Sequence, residues 1–318
     1  MYLGIDIGGT KIAAGIVDDG GRILAEASIP TRRERPYTDV LEETVELCGS
    51  LAAGHTRGLI RGAGIGVPGP VDVRRGLVID CVNLGWKNIP IEEIMGARLG
   101  MPVFTGNDAT LAGLAELEAG ELKGARTGVM LTLGTGIGSA VVCEGRIQYG
   151  AHGIDSEIGH MIVGRNDHRC SCGRNGCLET FASATALERY AKKLIDRGEP
   201  GILADLCREA GLGEPDGEMI FKVAMSGDAT AGKAVDRVVK YLAIGITNIV
   251  AVIDPERIVL GGGLSGAGGF LLDKVRNEVE RIRFYKELPI GDIVVARFGS
   301  EAGVIGAAML AKQRLKEE

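Results

Sequence analysis

Apolar positions fall in short clustered runs over residues 3–24, LGIDIGGTKIAAGIVDDGGRIL, and again over 131–147, LTLGTGIGSAVVCEGRI. In each stretch an apolar strand meets a Gly/Thr turn, a second apolar strand follows, and an acidic residue leads through Gly to Arg22 or Arg146. That pattern predicts a β-meander with its turn residues in place. Written one above the other, Gly8 falls on Gly134, Gly9 on Thr135 and Thr10 on Gly136. The recurrence predicts two domains of one architecture. Elsewhere the spacing alternates. Val40–Leu51, Asn107–Leu122, Ala184–Arg197, Ala229–Ile253 and Ala302–Lys316 read as helices, while GAGIGVPG, PVFTG, RIVLGGG and GDIVVARFG read as strands and turns. Strands alternating with helices predict an α/β class, two similar α/β domains around a cleft, as in enzymes that close on their substrates. The expected division is a small N-terminal domain over 1–118, joined by the C-terminal helix at 302–318, and a larger domain over 119–301.

Composition narrows this picture. Glycine is abundant, 50 of 318 residues, without a collagen-like period, which predicts many tight turns and close backbone approaches. The net charge of −6 and the absence of a basic patch argue against a nucleic-acid partner. The cluster Arg32, Arg33 and Arg35 is broken by Glu34 and Pro36 and reads as a solvated loop. The opening MYLGIDIGG reads as a strand rather than a signal peptide, and runs such as Ile244–Ile253 are too short and polar to span a bilayer, so no membrane partner is expected. Cys48, Cys81, Cys143 and Cys207 sit among apolar neighbours and read as small buried hydrophobes in a reducing, cytoplasmic compartment.

Three glycine turns follow predicted strands: DIGGTK (6–11), LGTGIG (133–138) and GGG (261–263). Successive backbone N–H groups in such turns form anion-binding nests, Thr10 and Thr135 add hydroxyls, and Lys11 adds charge. Asp6, just before the first turn, is placed to hold Mg²⁺ through water. Any one of these could be a plain hairpin turn; two matching turns and a third glycine run favour a nucleotide. No P-loop motif is present. GxGxxG occurs at Gly64-Gly66-Gly69, followed by Pro70 rather than a helix, and at Gly261-Gly263-Gly266, which follows a strand but lies late in the chain without a clear acidic residue about 20 positions on, so a nicotinamide enzyme binding its cofactor at 261–266 is a third reading.

TGNDATLAGLAE (105–116) places Asn107 and Asp108 where a strand hands over to a helix. Both residues suit an N-cap, and Asp108 equally suits a general base for a substrate hydroxyl with Asn107 positioning it. HGIDSEIGH (152–160) is followed by Cys170, Cys172 and Cys177 in CSCGRNGCLE (170–179). Three cysteines and a histidine complete a tetrahedral, structural Zn²⁺ site, with His160 and His168 both available as the fourth ligand. Glu157 and Glu179, at either end of the pinned loop, could then accept hydrogen bonds from a polyol.

Taken together, DIGGTK, GNDA, LGTGIG with EIGH, CxCGxxGCLE and the late LGGG resemble the ROK sugar kinases over essentially the whole chain. The resemblance implies the actin-like (ribonuclease H-like) ATPase fold, ATP with Mg²⁺, and phosphorylation of a hexose at its 6-hydroxyl. Length and motif layout look most like the family's glucose-specific members; N-acetylmannosamine, N-acetylglucosamine and fructose are the alternatives, and a non-catalytic sugar sensor is the alternative of another class. It further implies that Asp108 is the catalytic base and that Asn107, Glu157, His160 and Glu179 bind the sugar. His160 rather than His168 would join Cys170, Cys172 and Cys177 on zinc. Gly8, Gly9, Thr10, Lys11, Gly134, Thr135, Gly136, Gly262 and Gly263 would hold the nucleotide. Ser156 departs from the Gly or Ala often found there in these kinases. Family repressors carry an N-terminal helix-turn-helix, and a chain opening on its first strand is not expected to be one. A homo-oligomer, dimer or tetramer, is the family expectation.

Overall fold

The computed structural model describes residues 1–53, 59–151 and 155–317, so the first three residues of HGIDSEIGH lie outside the described part. The chain runs β1 (Tyr2–Ile7), β2 (Lys11–Val17), β3 (Ile23–Pro30), α1 (Tyr37–Ala53), β4 (Ala63–Val67), β5 (Val71–Asp72), β6 (Leu77–Cys81) and β7 (Trp86–Ile89). It continues through α2 (Ile91–Leu99), β8 (Val103–Asn107), α3 (Asp108–Ala119), β9 (Gly128–Leu133), β10 (Ile137–Cys143) and β11 (Arg146–Ile147). Five helices follow, α4 (Glu179–Ala182), α5 (Ala184–Asp196), α6 (Leu203–Glu209), α7 (Gly217–Met225) and α8 (Ala229–Ile253). The chain ends with β12 (Arg257–Gly261), α9 (Gly269–Ile282), β13 (Asp292–Val295) and α10 (Ala302–Glu317).

The described residues form two compact units. Unit 1 comprises Met1–Arg126, Ala140–Ser156 and Arg297–Glu318, and unit 2 comprises Thr127–Ser139 and Glu157–Ala296. The unit 1 sheet has the order β3-β2-β1-β4-β8, beside a small sheet β5-β6-β7. The other five-stranded sheet has the order β11-β10-β9-β12-β13, the same succession of third, second, first, fourth and fifth strands. In each sheet the fourth strand runs parallel to the first and to the fifth. The repeated Gly/Thr meander is therefore the visible part of a repeat that includes the two parallel strands.

Burial explains the strand types. β1 and β2 are covered on both faces and read as nearly continuous apolar runs, whereas the edge strand β3 alternates between half-buried and exposed positions, as a one-sided strand does. Glycine serves close packing in unit 1. A Cβ on Gly4 would lie 1.9 Å from the Val304 carbonyl oxygen, and one on Gly64 would lie 1.8 Å from that of Ala307. The bare backbones of β1 and β4 thus let α10 lie directly on the sheet. The last segment is held to α3 by Glu116, which is fully buried: Oε1 accepts from the Phe298 N–H at 2.8 Å and Oε2 from the Glu121 N–H at 2.6 Å. Both carboxylate oxygens are satisfied, so the charge is tolerated.

Cys48, Cys81 and Cys207 are buried as expected, but Cys143 is exposed. It is the last residue of β10, just before the Glu144–Gly145 turn, where the strand leaves cover. Among the described residues no helix is long and apolar enough to cross a membrane.

Candidate active site

In unit 1 the candidate residues collect at the ends of parallel strands. Asp6, one residue before the end of β1, pairs with Ala13 on one side and Gly66 on the other. Burial pushes its carboxyl up to about 6, with Lys11 pulling the other way. A Cβ on Gly303 would lie 2.5 Å from Asp6 Oδ2, so the first turn of α10 packs on the carboxylate itself. In the following turn the Gly8 N–H donates to the Lys11 carbonyl at 2.9 Å, and Thr31 Oγ1 donates to the Gly8 carbonyl at 2.6 Å. Gly8 is thus committed to closing the turn, while the side chains of Thr10 and Lys11 stand exposed.

Asn107 caps α3: Oδ1 accepts from the Ala109 and Thr110 N–H groups at 2.9 and 3.1 Å, and Nδ2 donates to the Gly69 carbonyl at 3.1 Å. Asp108 follows at the first helical position, where the helix dipole favours a carboxylate. Its Oδ1 accepts from the Ala109 N–H at 2.8 Å. The Cys81 thiol is pushed up to about 11, chiefly by burial and secondarily by the charge of Asp108. Motif reading missed Asp155, which accepts from Thr110 Oγ1 at 2.5 Å and ties the segment before Glu157 to the start of α3. An aspartate two residues ahead of EIGH carries no spacing signal that would have found it.

In unit 2 two glycine turns come together. The Gly134 N–H donates to the Gly136 carbonyl at 3.0 Å, and the Gly134 carbonyl accepts from Ala184 at the start of α5 at 2.8 Å. Gly262 has φ 81°, and a Cβ there would lie 2.6 Å from the Leu133 nitrogen. Only glycine permits both that conformation and that approach. The late glycine run therefore packs against the end of β9, with Thr135, Gly262 and Gly263 exposed.

EIGH is seated on β10. The Ile158 N–H donates to Ser139 Oγ at 3.1 Å, and a Cβ on Gly159 would lie 2.0 Å from the Ile137 carbonyl oxygen. Ser139 is a second positioning residue that motif reading passed over. Glu157 Oε2 stands 3.8 Å from His160 Nε2, and Glu179 Oε1 stands 3.8 Å from His160 Nδ1. The Glu157 carboxyl is raised, first by burial and then by the like charge of Glu179, with His160 opposing. Glu179 begins α4, and its Oε2 would lie 2.7 Å from a Cβ on Gly136, so it abuts the glycine turn.

The loop that carries the cysteines folds back on itself through bridges Ile162↔Cys177 and Arg169↔Asn175, and Asn166 and Asn175 exchange hydrogen bonds at 2.9 and 2.7 Å. His160 and Cys170, Cys172 and Cys177 bring one donor atom each to within 4.8 Å of one another. Cys170 Sγ lies 3.5 Å from His160 Nδ1, and Cys172 Sγ lies 3.6 Å from Cys177 Sγ. A tetrahedral Zn²⁺ with bonds of about 2.3 Å to sulfur and about 2.0–2.1 Å to nitrogen separates its ligands by about 3.6 Å (S···N) and 3.8 Å (S···S). The donor set fits that ion in number, chemistry and spacing. His168 is exposed and stands outside the cluster. Burial pushes the Cys170 and Cys177 thiols up, and a divalent cation is what would reverse that preference.

The profile of the ROK family matches residues 2–314. The chain is 32% identical over 317 residues to a glucokinase of Halalkalibacterium halodurans, covering 98% of this chain and 95% of that one. It is 34% identical over 315 residues to a glucokinase of Thermotoga maritima, covering 98% of both. Among solved structures it matches a ROK family glucokinase from Streptomyces griseus in complex with glucose and AMPPNP, with a TM-score of 0.85 and 32% identity over 98% of this chain and 99% of that one. The strand order, the motifs and the likeness run the length of the molecule together, and the chain belongs to the ROK family.

Proposed function

We propose that this chain is an ATP-dependent hexokinase that phosphorylates glucose at its 6-hydroxyl, giving glucose 6-phosphate and ADP. One observation carries the reading: the likeness to glucokinases, one of them holding glucose and AMPPNP, spans the full chain rather than a single motif. Asp108 accepts the proton of the 6-hydroxyl as its oxygen attacks the γ-phosphorus, the bond to the β-bridging oxygen breaks, and ADP leaves. Asn107 is chiefly a positioning residue. Its Oδ1 and one amide hydrogen are engaged by α3 and Gly69, which leaves the second amide hydrogen for a sugar hydroxyl.

Glu157 and Glu179 accept hydrogen bonds from the sugar's remaining hydroxyls, and His160 turns Nε2 toward the sugar while Nδ1 faces the cysteines. The N–H groups of Gly9, Thr10, Thr135, Gly136, Gly262 and Gly263 and the Lys11 ammonium bind the phosphates. In this reading Gly8 and Gly134 shape the turns through their internal hydrogen bonds. Asp6 would help hold Mg²⁺, which would supply charge neutralisation on the phosphates. His160, Cys170, Cys172 and Cys177 would hold a structural zinc, since four protein donors leave no open position, and it would fix the loop against which Glu179 is set.

Asp108→Asn tests the assignment. Asparagine keeps the shape and removes the base, so phosphoryl transfer is lost while calorimetry still records glucose binding. A fully active variant would overturn the role of Asp108.

A further inference from the structure

Unit 2 carries a second cluster of charge that the kinase reading leaves unused. A cavity of about 260 Å³ opens between the start of the cysteine loop, α4, α5 and α8, and it is lined by Asn166, His168, Arg189, Lys193 and Arg237, with Asp167 among them. The Arg237 guanidinium lies 4.5 Å from the ring centre of Tyr190 and 5.1 and 5.3 Å from those of Phe181 and Tyr241, whose rings stack at 3.9 Å. Arg189 Nη2 donates to the Thr180 carbonyl at 3.1 Å. Asp167 is taken by the Lys193 ammonium. Among the described residues neither guanidinium has a carboxylate of its own at ion-pair distance.

Two arginines and Lys193 share one cavity with a single carboxylate, Asp167, which Lys193 already holds, and an anion relieves that excess of positive charge. Burial lowers the pKa of Arg189, with the charge of Asp167 opposing and that of Arg237 adding to the effect. Stacking on three rings fixes Arg237 before any ligand arrives, so little side-chain freedom is lost on binding. Guanidinium forks match the oxygens of phosphate, and the cavity falls just below the roughly 300–1,000 Å³ typical of drug-sized ligands. We propose that this cavity is a binding site for phosphate, either the free ion or the phosphoryl end of a phosphomonoester. It adjoins Thr180, next to Glu179, so its occupant grips the back of the segment that carries that carboxylate.

The test is calorimetric titration of inorganic phosphate, and separately of glucose 6-phosphate, into the full chain with AMPPNP present. Saturable binding of either probe is expected, weakened about ten-fold or more in Arg189→Gln, the loss typical of one charge-assisted hydrogen bond. Tighter binding of the sugar phosphate identifies a phosphomonoester site, and tighter binding of phosphate a free-ion site. No saturable binding of either probe, or unchanged affinity in the variant, overturns the proposal. If Arg189→Gln does not fold, Lys193→Gln takes its place, because it frees Asp167 to oppose the anion and must also weaken binding. The inference does not depend on the kinase reading: a failure of AMPPNP itself to bind is seen in its own titration and bears on that reading alone.

Discussion

Asp6→Asn should make the protein more stable and less able to use Mg²⁺. The carboxyl is held at about 6 by burial, against 3.8 for the unperturbed group. Between those two values the native chain holds a proton that the unfolded chain has released, so stability falls as pH rises through the window and stays lowered above it. At about 1.36 kcal/mol per pH unit, ionised Asp6 costs the fold about 3 kcal/mol at neutral pH. Asparagine keeps the shape against Gly303 without the charge. The variant should therefore match the wild type near about pH 4 and exceed it by up to about 3 kcal/mol near about pH 7.5. The assay is urea unfolding without added magnesium, followed by the fluorescence of Trp86, the single tryptophan, which is buried in unit 1 and so reports that unit. Added Mg²⁺ should stabilise the wild type in the presence of ATP and leave the variant unchanged. A variant less stable than the wild type at neutral pH, or a difference independent of pH, would refute the burial argument.

Three other outcomes follow. Asp108→Asn should lower kcat by about 10²–10⁴, the usual worth of a general base, with its glucose affinity by calorimetry little changed. Metal analysis of the purified chain should find zinc in proportion to protein, and Cys177→Ser should lose both the metal and several degrees of thermal stability; a fully folded, metal-free wild type contradicts the zinc assignment. Gly64→Ala should destabilise by about 1–3 kcal/mol or more, because its Cβ would fall 1.8 Å from the Ala307 carbonyl oxygen and α10 must move. Chemical denaturation measures that cost, and a neutral substitution would mean that the helix does not rest on bare strand backbone.

Much of the fold was legible where the chain makes its own local arguments. The Gly/Thr meander is written twice, and α8 begins at the expected residue because the Asp228 side chain accepts from the Ala231 N–H at 2.8 Å. Asn107, expected at the head of a helix, is its cap. The short helices α2, α6 and α7 and the small sheet β5-β6-β7 were not legible, since elements of two to nine residues offer too few turns for a period to stand out. Nor was the membership of 140–156 in unit 1, which depends on pairings such as Thr110 with Asp155 that no spacing announces. At the candidate site, residue types and spacing singled out the cysteine cluster but could not separate His160 from His168. Only the fold brings the His160 nitrogen to Cys170. The glycine abundance predicted turns; that some glycines admit α10 is a matter of packing between distant segments.

The reaction itself is measured by incubating the purified chain with ATP and Mg²⁺ and following ADP release across glucose, fructose, N-acetylglucosamine and N-acetylmannosamine. ADP and glucose 6-phosphate should form in equal amounts, with the highest kcat/KM for glucose. Absence of ADP release with every sugar, in a preparation that still binds glucose, would contradict the kinase reading.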